Sequence, residues 1–234
     1  MKDQTRFLTS LVVLLAVSGA QAQQATSVPK LVVTVMIDQL RSDYLEAFSP
    51  LYYEDGFKRL MKEGRVFVDA QYPVADVDRA AATATLFTGT VPYDHGIVGQ
   101  KWLDRNSLRP VYCVDDDQYE GVNTSDKSSP KNLGVSTIVD ELKVATDGQA
   151  VVYSIAPFRD VAILAAGHSA DCAFWLDDQT GNWAGSSYYG NMPLWASVYY
   201  DRHRLSQSVP KMTYEPVSEV VGSFNYFASG GFKK

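Results

Sequence analysis

The chain has 234 residues and a formal net charge of −6. An acidic surface is repelled by nucleic-acid phosphates, so nonspecific nucleic-acid binding is excluded, and chemistry on phosphate esters needs metal ions or local cations. His95, His168 and His203 are far apart, and Cys113 and Cys172 are the only cysteines, which excludes a His- or Cys-rich metal module.

The chain opens with Lys2 and Arg6 ahead of the apolar run Phe7 to Val17, followed by the small-x-small triplet Ala20-Gln21-Ala22. This is the layout of a secretory signal peptide cleaved after Ala22, and the run is too short to span a bilayer comfortably. The expected organisation is a signal peptide over residues 1–22 and one domain over residues 23–234. Cleavage removes Lys2, Arg6 and Asp3 and leaves a charge of about −7 on an exported, soluble chain, periplasmic in a two-membraned bacterium and free of the membrane. Export permits Cys113 and Cys172 to pair, and buried free thiols fit their apolar surroundings equally well.

Within Lys30 to Arg41 an unbroken apolar run rich in β-branched residues is closed by the acid Asp38 and followed by helix formers, the pattern of a buried central strand in a parallel sheet. Asp38 falls at the carboxyl end of that strand, where open α/β sheets bind ligands, as a metal ligand or as a cap for the next helix. A helix follows from Ser42, interrupted at Pro50 and resuming from Gly56 to Lys62. Arg65 to Ala70 reads as a second strand, completing a β-α-β unit. Ala75 to Gly89 begins with Asp76 and Asp78, runs through alanines and stops at glycine, a second helix whose amino terminus suits an anion.

Thr90 to Pro130 is turn-rich, with Asp115 to Asp117 expected on a solvated loop. A helix is expected over Val135 to Val144 with Ile138, Val139 and Leu142 on one side, then a strand over Ala150 to Ile155. Asp160 to Ala166 reads as a helix stopped by Gly167. Cys172 to Leu176 and Trp183 to Tyr189 read as paired strands, and Pro193 to Tyr200 as a last helix. The fold class is α/β, a mostly parallel sheet flanked by helices with a small antiparallel appendage.

Three segments, Met36-Ile37-Asp38-Gln39-Leu40-Arg41, Thr88-Gly89-Thr90-Val91-Pro92-Tyr93-Asp94-His95-Gly96-Ile97-Val98-Gly99 and Ala162-Ile163-Leu164-Ala165-Ala166-Gly167-His168-Ser169-Ala170-Asp171, together resemble the alkaline phosphatase superfamily. The similarity is to its exported bacterial phosphatases and to type I phosphodiesterases and nucleotide pyrophosphatases, and it runs from about Pro29 to Tyr200. The resemblance implies a Thr or Ser nucleophile at the start of the second helix and two zinc ions that activate it and offset charge in phosphoryl transfer. Asp38 matches the first-strand metal ligand.

Other positions depart from that pattern. The family spacing puts Arg79 at the nucleophile position, with Asp78 beside it able to bind a metal or form an acyl phosphate. Gln100 stands at the phosphate-binding Asn and can still donate an amide hydrogen bond. Phe158 and Asp160 stand where the phosphatases carry Lys and Arg, and Arg159 is expected to face elsewhere. The remaining family metal ligands have no counterpart after Tyr200, so the resemblance implies an incomplete, amino-terminal portion of the domain. The expected function is an exported metal-dependent phosphoric ester hydrolase, phosphatase or phosphodiesterase, with a substituted nucleophile position and a small phosphate ester as substrate. The alternatives are a non-catalytic binder of phosphate or sulfate esters that uses Arg79 as a permanent cation, and a single hard metal held by Asp38, Asp76 and Asp78.

Overall fold

A computed structural model describes residues 30–74, 78–204, 207 and 211–213. The chain divides into two units, Met1–Arg41 and Ser42–Lys234, and each is considered by itself. In the first, Lys30 to Ile37 joins no ladder, and Leu31, Val33 and Val35 are exposed. The expected central strand is therefore absent as a hydrogen-bonded element among the described residues. A β-branched run records how well a segment fits a neighbouring strand, and without that neighbour it has no internal hydrogen bonds to hold it. Arg65 to Ala70 departs in the same way, with Phe67 and Val68 exposed and no strand formed.

The second unit begins with two short helices, α1 (Ser42–Ala47) and α2 (Arg59–Glu63). Its organising helix is α3 (Arg79–Thr88), shorter at its start than the acids at 75–78 suggested. Asp78 is the N-cap, its Oδ1 accepting from Ala81 N–H at 2.9 Å, and Gly89 at φ 68° is the left-handed stop. Ala80, Ala81, Ala82, Thr83, Ala84 and Thr85 are all buried. Small side chains let other elements approach the helix backbone closely, and α3 packs on α6 (Arg159–Ala166). Between them lie α4 (Pro92–His95) and α5 (Ile138–Ala145).

Two sheets form. Strands β1 (Lys101–Leu103) and β2 (Pro110–Tyr112) make an antiparallel ribbon inside the turn-rich segment. The larger sheet has the order β3-β6-β5-β4, built from β3 (Gly121–Val122), β4 (Tyr153–Ile155), β5 (Cys172–Leu176) and β6 (Trp183–Ser186). β4 and β5 are parallel, joined through α6, whereas β5 with β6 and β6 with β3 are antiparallel. The expected hairpin over 172–189 exists, but its strands are the two inner members of this sheet, and the separate antiparallel piece is the β1–β2 ribbon. The buried run Cys172 to Trp175 explains β5, since an inner strand covered on both faces reads as continuous apolar sequence. The last helix, α7 (Leu194–Arg202), has no buried residue, and Trp195 meets Tyr153 and Phe174 edge-on.

The core lies between α3, α6 and the β5 side of the sheet, with Ala80, Ala84, Ile163, Leu164, Ala173 and Trp175 in one cluster. Each fully buried Ile or Leu contributes roughly 1.5–3 kcal/mol over its exposed state. α5 is fixed by a capping box, in which Thr137 and Asp140 satisfy each other's backbone N–H groups. Of its three expected core-facing residues only Val139 is buried; Leu142 is half-buried and Ile138 exposed.

Candidate functional site

Where α3 begins, its first residue faces the first turn of α6. Arg79 Nε lies 3.1 Å from Asp160 Oδ2 and Nη2 lies 3.0 Å from Oδ1, a two-point ion pair across 81 positions of sequence. The planar guanidinium has the fork geometry that matches a carboxylate's two oxygens. Phe158, the N-cap residue of α6, covers the guanidinium, whose central carbon is 3.7 Å from the ring centroid, close enough for a favourable cation–π contact. Gln100 adds a third donor to the same carboxylate, with Nε2 3.3 Å from Asp160 Oδ2.

Asp78 ties the arrangement to the ribbon. Its Oδ1 caps α3 while its Oδ2 accepts from Gln100 N–H at 2.6 Å. One carboxylate thus fixes both the helix start and the residue that reaches Asp160. Asp160 is fully buried, and the Arg79 side chain is 19 % exposed.

The buried carboxylates also act on two neighbouring side chains, against an opposing pull from Arg159. The Cys113 thiol is pushed far up, first by burial and then by the charges of Asp160 and Asp78. The Tyr112 hydroxyl is raised in the same way, by burial first and then by the charge of Asp160.

The sequence-derived candidates divide accordingly. Arg79, Asp78 and Gln100 converge on one point. Asp38 belongs to the first unit, is exposed, and its Oδ1 accepts from Gln39 N–H at 2.9 Å. Asp76 lies outside the described residues. Asp160 and Phe158 enter as direct partners of Arg79, a role the local sequence does not announce because nothing within α3 or α6 points across 81 positions. The readable sign was the exchange of charge, with a base at 79 and an acid at 160 where the resemblance expects a hydroxyl and a base.

Neighbouring polar residues are accounted for by packing. Thr83 Oγ1 donates to Arg79 O at 2.8 Å. His95 is fully buried, Ile97 N–H donates to its Nδ1, and its Nε2–H is left to donate to Thr85 Oγ1 at 3.1 Å. Arg159 pairs with Asp115 at 2.9 Å, donates to Ser128 Oγ at 2.9 Å and stacks over Tyr112. Asp116, expected in a solvated loop, is instead buried, with Ser129 Oγ and Lys131 Nζ donating to its carboxylate. A buried carboxylate is tolerable only when such donors replace its water.

Two zinc ions do not fit these residues. Both oxygens of Asp78 already accept backbone N–H groups, Asp160 is engaged by Arg79, and a guanidinium repels a cation at the point where a metal-activated nucleophile is required. No group of three or more His, Cys, Asp and Glu able to hold a metal occurs among the described residues.

Comparison with known proteins gives this geometry a family setting. The chain is 40% identical over 180 residues to alkaline phosphatase PhoV of Synechococcus elongatus, covering 75% of this chain and 33% of that protein. It is 34% identical over 214 residues to alkaline phosphatase PafA of Elizabethkingia meningoseptica, covering 89% and 39%. It therefore spans little more than a third of the length of these relatives. The crystal structure of wild-type PafA superimposes with a TM-score of 0.73 at 32% identity, covering 79% of this chain and 37% of that one. A PafA variant with one threonine, one asparagine, one lysine and one arginine replaced matches equally well, also with a TM-score of 0.73. The family model for type I phosphodiesterase / nucleotide pyrophosphatase matches residues 32–227, and the chain belongs to that family of phosphoric ester hydrolases within the alkaline phosphatase superfamily.

Proposed function

We propose that this chain is an exported member of the family whose nucleophile position has been converted into a closed ion-pair network, so that it does not transfer a phosphoryl group through residue 79. The observation that carries this reading is the two-point contact between Arg79 and buried Asp160. A guanidinium remains protonated and has no lone pair to attack phosphorus.

The PafA variant supports the correspondence of positions. Its replaced threonine and asparagine are separated by the same number of residues as Arg79 and Gln100, and its replaced lysine and arginine, like Phe158 and Asp160, flank a single residue. All four positions differ here in a mutually compensating way, a positive charge at 79 answering a negative one at 160. Asp78, the other candidate for covalent chemistry, holds its two oxygens on backbone donors and serves as a cap. Binding of free phosphate or sulfate esters at Arg79 is disfavoured by the same geometry, because Asp160 already holds the guanidinium. Export rests on the layout of Met1 to Ala22, and no described helix is long and apolar enough to cross a membrane.

The test is hydrolysis of p-nitrophenyl phosphate and of its bis ester by the purified chain, with and without added zinc. No turnover above the buffer rate is expected in either condition. Turnover of either ester that is lost in Arg79→Ala overturns the reading.

A further inference from the structure

The carboxylate of Asp160 is held as a bound anion is held. It receives Nε–H and Nη2–H of Arg79 at 3.1 and 3.0 Å and the Gln100 amide at 3.3 Å. It lies in the first turn of α6, whose partial positive pole favours negative charge, and it is wholly out of water. None of these donors comes from the residues next to it in sequence: Arg79 belongs to α3, and Gln100 precedes the ribbon.

From this geometry we infer that the start of α3 retains an oxyanion cradle, built from Arg79 and Gln100 and roofed by Phe158, and that the carboxylate of Asp160 is its tethered, built-in ligand. The cradle takes a planar or tetrahedral oxyanion with two oxygens presented to the guanidinium fork. In the native chain it is occupied from within, which excludes a free ligand. This deepens the reading of a closed site and rests on it.

Truncating Asp160 to alanine removes a carboxylate and leaves the donors in place. The group removed matches formate in size, charge and oxygen geometry, so formate restores what the substitution deletes. Acetate and inorganic phosphate probe how much larger an oxyanion the cradle admits. The experiment is thermal unfolding of the native chain, Asp160→Ala and Arg79→Met/Asp160→Ala, titrated with sodium formate, acetate and phosphate against sodium chloride at equal ionic strength.

The native chain is expected to show no anion-specific shift. Asp160→Ala should melt lower and regain melting temperature with formate in a saturable manner, and the double variant should gain nothing beyond the chloride control. If Asp160→Ala does not fold in chloride, recovery of its far-ultraviolet circular dichroism in formate replaces the melting temperature as the measure of rescue. Absence of a formate effect on Asp160→Ala, or an equal effect on the double variant, overturns the inference. Ester turnover is measured separately, so native-chain hydrolysis that is lost in Arg79→Ala defeats the closed-site reading whatever formate does, and a failed rescue leaves that reading standing.

Discussion

Arg79 and Asp160 meet through two nearly equal contacts, 3.1 and 3.0 Å, with the carboxylate fully buried and the guanidinium side chain 19 % exposed. The pair joins the first turn of α3 to the first turn of α6, so the two helices that make the core are locked at the end where the family carries its chemistry. Breaking such a pair on one side costs more than the pair itself contributes, because the remaining charge stays out of water.

Arg79→Met should therefore destabilise the chain by about 3 kcal/mol, since it strands a fully buried carboxylate. The reciprocal Asp160→Ala should cost less, because the Arg79 side chain retains some access to water. In urea unfolding the double variant should fall well short of the sum of the singles, giving a coupling energy of at least about 1 kcal/mol. Additive losses would mean that the two side chains do not stabilise each other.

Asp78 is expected to tolerate no substitution, including its nearest isostere. Asp78→Asn keeps one acceptor for Ala81 N–H but turns an amide donor toward Gln100 N–H, which now meets an oxygen at 2.6 Å. A cost of about 1–2 kcal/mol follows from the stranded donors. Asp78→Ala, losing the cap and the bridge together, should cost about 2–3 kcal/mol. Urea denaturation of the three proteins checks the order; an Asp78→Asn chain as stable as the parent would rule out the bridge.

His95 should make stability depend on pH. Burial first of all depresses its pKa below 6.5, against a smaller opposing pull from Asp94. Above 6.5 the ring is neutral in both states, so there is no dependence. As pH falls below 6.5 the unfolded chain takes up a proton that the folded chain refuses, and stability declines until the lower folded value is reached. The slope cannot exceed about 1.4 kcal/mol per pH unit for one group. Unfolding free energies between about pH 5 and about pH 8 should show this decline in the parent and a flatter profile in His95→Gln; parallel profiles would remove His95 as its source.

Gly167 closes α6 at φ +64°, and a Cβ there would strike Thr137 Oγ1 and crowd Asp140 Oδ2 at 2.9 Å. Gly167→Ala should lose about 2–4 kcal/mol from backbone strain and a broken capping box together. Thermal melting checks this, with Ala166→Gly as a control that should stay milder, at about 1 kcal/mol for helix propensity plus a lost methyl.

Cys113 and Cys172 are free and buried, and burial raises the Cys172 thiol to about 11. A thiolate is the reactive form, so a thiol reagent at neutral pH should label neither cysteine in the folded chain and both in urea. Non-reducing and reducing electrophoresis should coincide. A thiol count of zero in urea would indicate pairing instead.

Helices with strong end signals were legible in the sequence. Asp78 and Gly89 bracket α3 and Gly167 ends α6, because caps act on backbone groups within one turn and need no distant partner. The buried run at β5 and the hairpin to β6 were legible for the same local reason. The strands expected at Lys30 to Ile37 and Arg65 to Ala70 were not formed, because a strand exists only through its neighbour.

The sequence by itself determined that Arg79 stands at a helix start where the family resemblance asks for a hydroxyl, and that Gln100, Phe158 and Asp160 depart from the same pattern. Only the tertiary structure decided that these four departures are one arrangement. Packing of α3 on α6 brings a guanidinium and a carboxylate within hydrogen-bond reach and removes the carboxylate wholly, and the guanidinium largely, from water. At that distance and burial the energy of the pair depends on geometry, which no reading along the chain contains.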